Sequence, residues 1–74
     1  MTDPRELGKR LRALRMARDI KPGEFAKAVG LSRSMLWLIE EGRRNPSMDS
    51  LTRIAAALGV TIELEERGSD NAAM

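Results

Sequence analysis

Arg33, Ser34, Trp37 and Leu38 recur at i, i+1, i+4 and i+5 inside a stretch, residues 30–46, that reads GLSRSMLWLIEEGRRNP. On a helix this spacing gathers a guanidinium, a hydroxyl, an indole and an aliphatic side chain on one side. Leu36 and Ile39, three apart, turn the other way and are predicted to enter a core. Gly30 supplies a tight turn, Ser32 is a favourable N-cap, and Gly42 ends the segment. A short capped helix, held from behind and bare in front, is suited to insertion into the major groove of DNA. Arg43, Arg44 and Asn45 then form a polar loop ending at Pro46.

The composition excludes other chemistries. The 74 residues hold no cysteine and no histidine, so disulfides, thiolate zinc sites, imidazole bases and imidazole ligands are all absent. No catalytic residue, metal site or cofactor is expected. The length corresponds to one small domain. With no leader-like start and no apolar run of membrane-spanning length, an intracellular, soluble protein with no membrane partner is expected. The net charge of +2 conceals an asymmetry. Residues 1–46 carry eleven Lys/Arg against six Asp/Glu, net +5, and residues 47–74 carry two against five, net −3. A basic front and an acidic back suit a protein that faces a polyanion on one side.

The probe needs elements to hold it. A first helix is predicted from Asp3 as cap, with Pro4 at its first position, to about Arg18, with Leu7, Leu11 and Leu14 as its apolar stripe. Its remaining sides carry Arg5, Lys9, Arg10, Arg12, Arg15 and Arg18. A second helix, from about Pro22 to Val29, buries Phe25, Ala26 and Val29, and the third follows from Arg33 to about Glu41. A fourth starts after Ser47, carries Leu51, Ile54, Ala55 and Leu58 inward, and stops at Gly59. The amides that open it, near Ser47, offer a further phosphate seat. From Val60 to Glu65 apolar and polar residues alternate, which favours a strand over a short fifth helix. A lone strand needs a second copy to pair with, so Val60, Ile62 and Leu64 are the expected dimer contacts. The domain is drawn at 1–66, with 60–66 as dimerisation segment and 67–74 as a flexible tail. The fold class is all-α: a compact four-helix bundle with a helix-turn-helix in helices two and three, plus that C-terminal segment.

These residues together resemble the lambda-repressor-like, Xre-type helix-turn-helix family across residues 7 to about 62. The resemblance is carried by Leu11, Leu14 and Arg15, by Phe25-Ala26, by Gly30-Leu31-Ser32, Leu36, Ile39-Glu40, Gly42 and Pro46, and by Leu51, Ile54-Ala55 and Leu58-Gly59-Val60. It implies a dimeric repressor on double-stranded operator DNA, bacterial or phage-encoded, acting at the nucleoid in the cytoplasm. It further implies an Arg15–Glu40 bridge between the first and third helices, with Arg15 able to turn toward a phosphate. It places Arg33, Ser34 and Leu38 at base-facing positions, where Arg33 could grip guanine O6 and N7 bidentately, with a phosphate contact as the competing reading, and Leu38 could pack on a thymine methyl. It places Ser32, Ser47 and Lys21 beside the DNA, and Arg43, Arg44 and Asn45 in a loop that follows the phosphate backbone without reading sequence. The strand-like end resembles the antitoxin-type sub-group. Two positions depart from the pattern. Pro22 stands where a polar, phosphate-holding residue is usual, and proline cannot donate. Trp37 stands where serine is more common; beside Leu38 it could instead grip a protein, a toxin or an activator.

Overall fold

Each helix begins at a residue whose side chain or ring suits a helix start. Asp3 accepts from the Arg5 amide at 3.0 Å, Ser32 from the Met35 amide at 3.0 Å, and Ser47 from the Ser50 amide at 3.0 Å. Pro22 opens the remaining helix at its first position. The computed structural model describes residues 3–61. These form α1 (Pro4–Ala17), α2 (Pro22–Ala28), α3 (Arg33–Glu40) and α4 (Met48–Leu58). There is no strand among the described residues. The all-α four-helix expectation is met. The segment expected to be a strand or fifth helix, with Ile62 and Leu64, lies outside the described residues, as does the 67–74 tail. Val60 is described: it is half-buried and packs against the core.

The core is built from the apolar positions that the periodicity marks. Leu11, Phe25, Ala26, Val29, Leu36, Ile39, Leu51, Ile54 and Leu58 are buried, with Leu7, Leu14, Ile20, Leu31 and Met35 packed around them. α3 packs on both α1 and α2. It is only eight residues long, too short to persist alone, so its shape depends on these contacts.

α1 and the end of α3 meet closely at Gly8. A Cβ at Gly8 would stand 2.5 Å from the Ile39 carbonyl oxygen and 2.6 Å from that of Glu40. No side chain fits there. In an ordinary helix interior, Gly→Ala stabilises by about 1 kcal/mol. Here Gly8→Ala is expected to destabilise, by roughly 1–3 kcal/mol of overpacking, in a urea titration. A rise in the midpoint would show that the two backbones do not meet this closely.

Candidate nucleic-acid interface

α3 presents the side chains the spacing singled out. Arg33, Ser34 and Trp37 are exposed, Trp37 by 53%, while Leu36 and Ile39 are buried behind them. Leu38 is half-buried, so it offers an edge rather than a full side chain. After α3, Gly42 takes a left-handed φ of 77°, and a Cβ on it would come within 2.6 Å of Arg5 Cα. That turn folds the following loop back. The Arg43 amide donates to the Leu38 carbonyl at 2.9 Å, and the Arg43 guanidinium lies 5.4 Å from the Trp37 ring centroid. A cation over an exposed indole contributes about 0.5–1 kcal/mol, enough to bias where Arg43 rests. Arg44 and Asn45 are exposed beyond it.

Behind the probe sits the pair the family resemblance implied. Arg15 Nε donates to Glu40 Oε2 at 2.8 Å and Nη2 to Oε1 at 3.1 Å, a two-pronged arrangement. Arg15 Nη1 donates to the Ile20 carbonyl at 2.7 Å. Arg15 is 6% exposed and Glu40 8%. Arg15 is thus the one cation among those placed on the first helix's outer sides that is buried, and three of its N–H groups already have partners.

Sequence reasoning missed Arg12. It lies one helical turn before Arg15, and its Nη1 approaches Glu41 Oε2 at 3.6 Å, repeating the Arg15–Glu40 pairing nearer solvent. The i, i+3 relation of Arg12 to Arg15, read against Glu40-Glu41, was the available signal. Between α1, α2 and α3 this leaves a cleft of about 150 Å³, with Arg12, Pro22, Arg33 and Trp37 around the buried pair. Lys21 is exposed as the N-cap of α2 and makes no side-chain capping bond. The Ser32 hydroxyl is engaged at the N-cap of α3. Ser47 caps α4 and also donates from its hydroxyl to Ser50 Oγ at 3.0 Å. Arg33, Ser34, Trp37 and the 43–45 loop therefore share one region, whereas Ser47 stands at the start of another helix. The dimer positions Ile62 and Leu64 fall outside the described residues.

The pattern of a family described as a helix-turn-helix domain matches residues 6–68. The chain is 37% identical over 82 residues to the ImmF control region 10 kDa protein of Bacillus phage phi105, covering 99% of this chain and 91% of that one. It is 39% identical over 56 residues to the immunity repressor protein of the same phage, spanning 76% of this chain but 39% of the repressor. Among solved structures, the restriction-modification controller protein C.AhdI of Aeromonas hydrophila superposes with a TM-score of 0.76 at 36% identity. That match covers 80% of this chain and 89% of the controller.

The buried pair generates a measurable expectation. Arg15→Ala or Glu40→Ala alone leaves an uncompensated buried charge and should cost about 3–5 kcal/mol in chemical denaturation. The double substitution should cost clearly less than the two single losses together, the difference being the coupling between them. Additive losses would mean that the two groups do not interact.

Proposed function

The chain belongs to the helix-turn-helix family, a family of DNA-binding transcriptional regulators, and from that membership we propose that it is a dimeric, sequence-specific repressor. In this reading α3 enters the major groove of an inverted-repeat operator. The observation that carries it is the contrast between the two sides of α3. Leu36, Ile39 and Glu40 are buried, while Arg33, Ser34 and Trp37 are exposed beside the basic 43–45 loop. Ser34, Trp37 and the edge of Leu38 face bases; Arg43, Arg44 and Asn45 follow the backbone, with Lys21 and the Ser32 and Ser47 ends flanking them. Arg15 acts from behind, by fixing the angle of α3. The protein would work in bacterial cytoplasm, at the nucleoid or on a phage genome; no helix among the described residues is long and apolar enough to cross a membrane.

A second copy is supported by α4. Met48, Leu51, Ala55, Ala56 and Val60, with Thr52 and Thr61, line an open groove of mixed apolar and polar character of about 380 Å³, and Met48 is 64% exposed. The sequence continues from this groove into the alternating Ile62-Glu63-Leu64 segment. Binding to an inverted repeat requires such a two-fold pair to hold its α3 helices one DNA turn apart, about 34–36 Å.

The competing reading, a toxin- or activator-binding face at Trp37 and Leu38, is favoured by the exposed indole. It is weakened by Arg43 over that indole and by the partial burial of Leu38. Selection from random duplexes should return an inverted repeat, and log K should fall with log salt by ~0.9 per neutralised phosphate. Trp37→Ala should abolish operator binding with the helices intact. A flat salt response ends the repressor reading; loss of a co-purifying protein with DNA binding retained favours the other. For the dimer, Ala56→Glu places a charge in the α4 groove on a residue that is exposed in the single chain. Light scattering should report one folded chain in place of two, and an unchanged mass would move the interface elsewhere.

A further inference from the structure

We propose that Arg33 is a phosphate donor seated at the cleft between α1, α2 and α3, and that it reads no base. This deepens the DNA-binding reading above and rests on it. Arg33 is the first residue of α3, but its stem is turned back along α2: a Cβ built on Gly23 would lie 4.0 Å from Arg33 Cδ. An arginine that grips guanine must send its head out along the groove edge of the bases. This one has its Cδ beside the start of α2, and the residue lines the cleft.

The charges in the cleft point the same way. Three arginines, Arg12, Arg15 and Arg33, line it against two glutamates, Glu40 and Glu41. Glu40 is matched by Arg15 and Glu41 by Arg12. Among the described residues Arg33 has no carboxylate partner, so the cleft keeps one unbalanced positive charge. Pro22, on the same wall, has no amide hydrogen and no polar side chain. An oxygen arriving there finds Arg33 as the cation not already paired. The cleft, about 150 Å³, is well below the roughly 300 Å³ at which small-molecule pockets begin, and it suits a single anionic group presented by a larger molecule. Trp37, one turn after Arg33 on α3, also lines the cleft and carries Arg43 over its ring.

The test compares wild type, Arg33→Ala and Arg33→Lys by selection from random duplexes and by binding to the selected and a shuffled duplex across a salt series. Arg33→Ala is expected to weaken both duplexes by the same factor, about tenfold for one charge-assisted contact, and to select the same sequence as wild type. Its slope of log K against log salt should fall by ~0.9. Arg33→Lys should restore the slope and leave the selected sequence unchanged, since a phosphate accepts a point charge where a guanine edge requires the fork. The assignment is overturned by a relaxed preference at one base pair per half-site in either variant, or by an unchanged salt slope in Arg33→Ala. A wild type that selects nothing and ignores salt strikes the repressor reading itself. A wild type that selects an operator, joined to an altered base preference in the variants, strikes the Arg33 assignment alone.

Discussion

One guanidinium holds three parts of this molecule in register. Arg15 belongs to α1, its Nη1 binds the Ile20 carbonyl in the corner before α2, and its other prong and Nε bind Glu40 at the end of α3. Buried ion pairs carry a desolvation cost close to their attraction, so this one is a weak source of net stability. What it adds is direction. Leu36 and Ile39 attach α3 to the core through apolar contacts that tolerate small rotations. A planar fork on a carboxylate tolerates few. For a short helix held mainly by apolar contacts, that constraint on orientation matters more than the energy.

The backbone makes the same arrangement possible from the other end. Gly8 lets α1 come against the Ile39 and Glu40 carbonyls, close enough for Arg15, two turns later, to reach Glu40. Gly42 turns the chain sharply enough that Arg43 comes back over Trp37. On the far side, Arg53 of α4 pairs with Asp49 and donates to the Val29 carbonyl at 3.3 Å, tying α4 to the turn between α2 and α3. The eight residues of α3 are thus bounded by polar ties on α1, in the corner and across α4, with apolar packing between them.

Local signals were read well from the sequence because they act within a few residues. The caps Asp3, Ser32 and Ser47, the stops Gly30, Gly42 and Gly59, and the leucine stripe of α1 all lie where their chemistry placed them. The expected ends of α1, α2 and α3 each ran one residue past the observed ones, at Arg18, Val29 and Glu41, which serve as C-caps. Contacts between elements were harder. Nothing local marks Gly8 as a crossing point, and helix propensity argues against a glycine there. The Arg15–Glu40 pair, 25 residues apart, was reachable through the family resemblance and not through spacing. Arg12–Glu41 and Arg43–Trp37 depend on where long side chains turn, which periodicity does not specify. Leu38 was placed on a bare face, yet α3 is narrow enough that its flank is half covered.

The charge asymmetry also changes meaning once partners are known. Eleven cations in residues 1–46 suggested a broad basic front, but they are not equivalent toward a polyanion. Arg15 is neutralised and buried, and Arg12 is drawn toward Glu41. A cation already matched by a carboxylate displaces little of the counterion atmosphere on a duplex. Arg43 keeps its charge but is biased toward the Trp37 ring, which places it beside the reading face. Arg33, Arg44 and Lys21 are exposed with no carboxylate partner among the described residues. Arg5, Lys9, Arg10 and Arg18 of α1 and Lys27 of α2 are likewise exposed with no carboxylate partner among the described residues, so only Arg12 and Arg15 are offset and the basic half keeps most of its charge. What distinguishes α3 within this field is not its charge but its fixed angle, set by the Arg15 fork on Glu40.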